Sequence, residues 1–475
     1  VPQIHDLTAI ELSAAMRAGE LSPVDVTEHY LERIDRLDAR LGAFVTVTPD
    51  LAREQAAEAE RRLRAAADPA ALPPLLGLPV PIKDLDMLAG VRLTWGSKVF
   101  TDFVAPVDDA VVARLRAAGI VVLGKTNTPE FGLSCHTENG VAPPARTPWD
   151  LGRSAGGSSG GAAAAVAAGL APIAQGSDGG GSVRIPCSAC GLFGIKPTRG
   201  RISKAPVAPD LIGLGTAGPL ARTVRDAAWL LDAMLVQRPG DLYTAPPPPP
   251  GETFLGYAER EPGRLRIARF ATTTVPGSEV HPDVMAAYEE TSKLLVELGH
   301  EVTDIDSPFP ADLIPQFEKV WATMPSLYPV TDDQVDRLEP LTRWLLERGR
   351  RLSAAEYVAA TAALQNAVRA ALPLLESYDA VLNPTIAQPP APIGHFTETG
   401  DPAEEFDRIK RFAGYPAPYN VTGQPAVSVP TEWTADGLPI GMMLAGRTGD
   451  EKTLISLSAQ LEAARPWAHR TPPMW

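Results

Sequence analysis

An α/β fold, with one sheet covered by helices on both faces, is what this sequence predicts. Two observations carry the prediction. Segments of helical period alternate with short apolar, β-branched runs, and 475 residues at 45 % apolar content suffice for a sizeable core. Taken in order, Ser22-Pro23 with Asp25 reads as a helix start: a cap, a proline at the first helical position and an acid at the third. Its apolar face carries Val26, Tyr30, Ile34 and Leu37. Residues 51–67, rich in alanine and charge, predict a second helix. Residues 76–84 form an extended run with prolines at alternate places, which suits an edge or a strand end. A helix over 108–118 closed by Gly119 leads into a predicted strand at 120–123.

Residues 160–169 read as a small-residue helix, 171–175 and 191–195 as strands, and 223–234 as a helix capped by Thr223 with Asp226 three residues on. The proline run 246–250, inside 242–251, is the clearest linker. Beyond it come a strand at 265–270, a helix at 281–298, a strand at 301–305 and a long helical region that includes 353–378. Strands at 426–430 and 438–444, expected to return to the same sheet, and a helix at 450–464 complete the chain.

With 57 acidic and 43 basic residues the net charge is −14, which repels phosphate backbones and anionic membranes, so neither nucleic acid nor membrane is an expected partner. Residues 1–6 carry no basic or apolar leader pattern, and the apolar stretch 162–174 falls short of the roughly 20 residues a bilayer needs. A cytoplasmic protein is expected. Cys135, Cys187 and Cys190 are too few for a disulfide framework, and the lone Cys187-Ser188-Ala189-Cys190 lacks the ligands of a structural zinc site. It reads as core packing.

Several short patterns lose to their contexts. Residues 119–126 fit the phosphate-loop expression, but their middle is a hydrophobic strand. Residues 213–218 fit the dinucleotide fingerprint with Pro219 directly after them and read as a turn. Asn420-Val421-Thr422 is a glycosylation sequon only in a secreted chain. Residues 157–161 fit a nucleophile elbow centred on Ser159, a rival α/β-hydrolase esterase reading that would need His395 or His469 as base.

The most informative stretch holds two serine-bearing glycine clusters, 156–161 and 179–182. Glycines in a row suit a backbone that must come close to a reacting carbonyl, and each cluster supplies a hydroxyl. Lys83 follows an apolar run, and a lysine drawn into low dielectric falls from about 10.4 toward about 7 to 8, where it serves as a base.

Residues 77–84, 124–132, 156–161, 176–186, 194–200, 218–223 and 422–426, in this order, resemble the amidase signature family over nearly the whole chain, least from about 246 to 374. The resemblance implies a single large mixed, twisted β-sheet covered by helices on both faces. It implies Ser182 as nucleophile, Ser158 as bridging serine after a cis Gly157–Ser158 peptide, and Lys83 as base. The oxyanion would lie on the amides of Gly179, Gly180 and Gly181, with Ser182 a further donor, and neither metal nor organic cofactor is required. Asp178 and Arg184 would brace the loop. Gly179 stands where relatives commonly carry a larger residue such as threonine, so the pocket there is wider or the loop looser. Trp95, where many relatives are small, is a candidate pocket wall, and Phe131, Cys135 and Tyr419 are candidate substrate contacts.

The expected organisation is an N-terminal helical segment (1–70), a catalytic core (71–245), a variable, largely helical region (246–380) and C-terminal strands with a helix (381–475) completing the sheet. The expected reaction is hydrolysis of small carboxamides, hydrophobic or aryl, through an acyl-enzyme, with esters and carbamates as further candidates and a homodimer allowed. A glutaminase subunit of a tRNA-dependent amidotransferase ranks below this, because those subunits usually carry Leu-Asp-Gln where this chain has Leu214-Gly215-Thr216-Ala217. A non-catalytic binding protein on the same fold has all three triad positions filled against it.

Overall fold

The computed structural model describes residues 3–209 and 212–475, so Val1 and Pro2 of the leader reading lie outside it. Helix Pro23–Leu41 begins as its sequence requires, with Ser22 Oγ accepting from Val24 and Asp25, and it buries Val26, Tyr30, Ile34 and Leu37. Helix Ala9–Ala18, which the sequence reading passed over, is opened by a reciprocal Thr8–Glu11 box. It buries Ala9, Leu12 and Met16, a stripe of only ten residues' length.

Strands β1 (Phe44–Val47), β2 (Ile82–Lys83) and β3 (Gly124–Thr126) form a small sheet in the order β1-β3-β2, with β1 antiparallel and β2 parallel to β3. Residues 120–123 differ from the predicted strand. Only Val121 bridges to Pro79, and the ladder begins at Gly124. Thr48 N and Oγ1 bond the carbonyls of Leu123 and Val122, and Gln55 Oε1 accepts from Val122 N, so the cap and an interior side chain of the next-door helix Pro49–Ala65 satisfy this backbone instead.

The main sheet has eight strands: β4 (Ile173–Asp178), β5 (Phe193–Lys196), β6 (Thr216–Ala221), β7 (Arg266–Arg269), β8 (Glu301–Asp304), β9 (Ala380–Pro384), β10 (Ala426–Trp433) and β11 (Pro439–Gly446). They run in the order β4-β6-β5-β10-β11-β9-β7-β8, and only β7 with its neighbours β8 and β9 is parallel. Strands β5, β6, β9 and β11 are buried along their whole length, as expected when helices cover both faces. The second half of the fingerprint-like run 213–218 is therefore strand rather than turn: Gly218 and Pro219 lie in β6 opposite Gly176 and Gln175.

Cys187 and Cys190 sit in the buried helix Arg184–Cys190 as free thiols, both pushed up by burial, Cys190 to about 12. The longest apolar helix is Ala354–Leu375, not the 162–174 stretch, and it seats Ala360, Leu364, Ala367, Ala371 and Leu375 in a second hydrophobic cluster with Phe317 and Tyr419.

Candidate active site

Lys83 ends up wholly buried because β2 is wedged beside β4, with Lys83 N donating to Gln175 Oε1 at 2.9 Å. Its Nζ lies 2.8 Å from Ser158 Oγ, 2.8 Å from Ser159 Oγ and 3.1 Å from Ser177 Oγ. Burial pushes the amine down to about 7, against the opposing pull of Asp86 and Asp178. The neighbouring Lys125 Nζ lies 3.3 Å from Asp84 Oδ1, both side chains buried.

Ser158 stands just ahead of helix Gly160–Ala167, and the Gly157–Ser158 peptide is cis. A β-carbon at Gly157 would lie 2.8 Å from the backbone of Cys135 and His136, so this loop closes on its neighbour only with glycine there. Ser159, the centre of the elbow-like run, lies against the lysine amine. Its hydroxyl donates to Ser177 O at 3.1 Å, and no hydrogen bond joins it to His395 or His469 among the described residues.

The second glycine cluster is shaped by Asp178. Its carboxylate accepts from Gly181 N at 2.8 Å, Val183 N at 3.1 Å, Arg184 Nε at 2.9 Å and Nη2 at 2.8 Å, and Asn420 Nδ2 at 2.9 Å. Burial works against ionisation there, yet the Arg184 guanidinium and these donors hold the carboxyl well below its usual range. Asp178 and Arg184 brace the loop, as expected. Asn420 is one of the braces, which leaves the sequon wholly buried.

Gly181 needs its side-chain-free backbone: it sits at φ 125°, with Pro416 Cβ 2.7 Å and Ile185 Cδ1 2.8 Å from where its own β-carbon would be. Its amide, expected to face an oxyanion, is committed to Asp178 instead. Among the described residues the amides of Gly179, Gly180 and Ser182 have no protein acceptor, so these three are the donors the loop has to offer. Ser182 O accepts from Ser159 N at 3.1 Å, tying the two clusters together. Ser182 Oγ makes no protein hydrogen bond among the described residues, and the residue lines a cavity shared with Gly157 and Gly180.

Of the four candidate substrate contacts, Cys135 lines that cavity, with its thiol pushed well up by burial. Trp95 and Phe131 do not. Trp95 donates Nε1 to Leu85 O at 3.2 Å and stacks on Phe103, while Phe131 lies flat on Tyr328 with ring centroids 3.9 Å apart, so both belong to an aromatic cluster next door. Tyr419 is core: it is fully buried, bonds Asn383 through its hydroxyl and meets Phe309 edge-on.

The actual walls come from elsewhere. Phe317 and Trp321 project from helix Leu313–Thr323, Phe406 and Ile409 from helix Pro402–Ala413, and Tyr415 from the turn after it. The charged pair lining the cavity, Lys410 and Glu318, is joined at 2.7 Å. The apolar i, i+4, i+8 stripe of Leu313, Phe317 and Trp321 was visible in the sequence, but such a stripe reads as ordinary core. Ser177, next to Asp178, was the nearer omission, and Ser159, read only as the centre of an elbow, was not expected against Lys83.

Comparison with known proteins gives one consistent answer. The family model described as Amidase matches residues 25–455. AmiB2 of Mycobacterium tuberculosis is 42 % identical over 468 residues, covering 96 % of this chain and 95 % of that protein. An acylamidase of Rhodococcus erythropolis is 34 % identical, covering 99 % of this chain and 98 % of that one. The substrate complex of a 6-aminohexanoate cyclic dimer hydrolase superposes with a TM-score of 0.89 at 31 % identity, covering 99 % of each chain.

Proposed function

This chain belongs to the amidase family and is a hydrolase of amide C–N bonds; on that premise we propose that it acts by acyl transfer to Ser182, with Ser158 as proton relay and Lys83 as base. The observation that carries the reading is the buried, depressed amine 2.8 Å from Ser158 Oγ. Hydrogen-bond direction orients it. The Ser159 proton goes to Ser177 O, so Ser159 Oγ accepts one proton of the neutral amine, and Ser177 Oγ, 3.1 Å away, accepts the other. The lone pair is left for the hydroxyl proton of Ser158.

Lys83 then takes that proton, Ser158 takes one from Ser182, and Ser182 Oγ bonds to the carbonyl carbon. The oxyanion rests on the amides of Gly179, Gly180 and Ser182. The relay returns the proton to the leaving nitrogen as the C–N bond breaks, and water, activated by the same relay, hydrolyses the acyl ester. The apolar walls favour a hydrophobic or aryl small-molecule amide, in keeping with relatives named acylamidase and cyclic dimer hydrolase.

Labelling with a fluorophosphonate, followed by peptide mapping, tests the reading: the adduct is expected on Ser182, and an adduct elsewhere overturns it. Because the base works only uncharged, kcat/KM should rise with pH through about 7 and level off above it; a profile falling across that range contradicts a lysine base. Ser159→Ala should lower kcat about 10- to 100-fold with KM unchanged, since it misdirects the amine without removing it. Steady-state kinetics on one anilide substrate decides this.

A further inference from the structure

Two glycines beside the nucleophile have no conformational or steric need to be glycine. Gly181 lies at φ 125°, but neither Gly179 nor Gly180 lies at positive φ. A β-carbon on Gly179 would stand 3.7 and 3.8 Å from Trp321 Cη2 and Cζ3. One on Gly180 would stand 3.7 Å from Phe317 Cζ and 3.7 Å from Trp321 Cη2. These are ordinary van der Waals separations, so between the loop and the rings there is room for one methyl-sized group at each position, and the protein leaves it unfilled.

The far wall of that recess is fixed. Trp321 donates Nε1 to Leu133 O at 3.3 Å and stacks on Phe317 with centroids 5.2 Å apart. Gly180, Ser182, Phe317 and Trp321 line one cavity, whereas Lys83 and Ser158 stand outside its lining. A leaving nitrogen must turn toward Ser158 to be protonated, so the group turned toward Trp321 is the acyl substituent. Glu318 and Lys410 neutralise each other across the same cavity and leave no free charge to attract a charged acyl group.

We propose that this recess is a site of acyl selectivity, and that the preferred substrates are carboxamides whose acyl α-carbon carries apolar bulk, α-branched or aryl, over acetyl amides. The proposal rests on acyl transfer to Ser182. It assigns Trp321 as the specificity-determining wall and the missing side chains of residues 179 and 180 as the space it encloses.

The test compares kcat/KM of the full chain on the p-nitroanilides of acetic, isobutyric and benzoic acids. The wild type is expected to favour isobutyryl and benzoyl over acetyl by at least about 10-fold, and Gly180→Ala to lose about 10- to 100-fold more on these two than on acetyl, the usual worth of one methyl group in a pocket. Gly179→Ala, whose methyl has the indole and the Gly215 backbone as its nearest neighbours, should give the same bias in a second variant whose fold is checked by circular dichroism. Adding Trp321→Ala to Gly180→Ala should restore the bulky substrates.

Wild-type preference for acetyl, or equal losses on all three amides, overturns the recess. If fluorophosphonate still labels Ser182 in that case, the serine mechanism stands and only the selectivity proposal fails. Absence of both labelling and hydrolysis sinks the two together.

Discussion

Ser182→Ala should abolish amide hydrolysis, with kcat down by about 10⁴- to 10⁶-fold while the circular dichroism spectrum is unchanged. No neighbouring hydroxyl can take over. Ser158 and Ser159 both lie 2.8 Å from Lys83 Nζ, and Ser159 spends its proton on Ser177 O, whereas Ser182 presents an uncommitted hydroxyl to the cavity. Removing the side chain leaves the loop amides in place, so substrate binding should survive in the variant and be measurable by titration. Activity that withstands Ser182→Ala but is lost to a chelator would refute the serine mechanism.

Lys83→Met should be nearly as damaging to turnover, by about 10³-fold or more, because a hydroxyl chain without a base cannot discharge its proton. The same substitution has a second, independent readout. The folded-state value of Lys83, about 7, lies below the ordinary lysine value, so between those two the unfolded chain binds the extra proton. Wild-type stability therefore rises as pH climbs through that window, by about 1.4 kcal/mol per pH unit for each such group. Lys196, buried and likewise pushed down to about 7 by burial and Arg184, contributes the same slope. Between about pH 7 and 8, below the range where the unfolded chain's thiols ionise while the buried Cys135, Cys187 and Cys190 stay protonated, Lys83→Met should thus remove about half of it, as read from urea midpoints at a series of pH values; an unaltered slope would mean that Lys83 is protonated in the native state.

Local order was legible where one residue type settles one question. The Ser22-Pro23 start, the Thr223 cap over helix Val224–Met234 and the start of β10 at Ala426 stand where pattern alone puts them, whereas β5 begins two residues later than expected because Gly191 caps the preceding helix. Strand β6 was hidden because Gly218-Pro219 has the local chemistry of a turn, and only pairing with β4 overrides it. Strands β1 and β9 escaped notice for a related reason: short runs gain their order from partners far along the chain.

The site divides the same way. The lysine and the two glycine clusters announce themselves by composition and by resemblance, yet the commitment of the Gly181 amide to Asp178 follows from one local bond that no residue pattern encodes. Asn420, 242 positions away from Asp178, joins that network only through the closed fold. Phe317 and Trp321 carry the periodicity of a buried helix face, and whether such a face meets core or cavity depends on what the chain places opposite it.

The proposed base and the proposed nucleophile stand on different platforms, Lys83 on the two-residue β2 of the small sheet and Ser182 just beyond β4 of the large one. Their alignment depends on a seam stitched by few bonds, among them Lys83 N to Gln175 Oε1 and Gln175 N to Pro81 O. Turnover thereby becomes a reporter of how the two platforms are seated. A lesion remote from every reacting atom, if it loosens that seam, silences chemistry in a molecule whose eight-stranded scaffold is still whole.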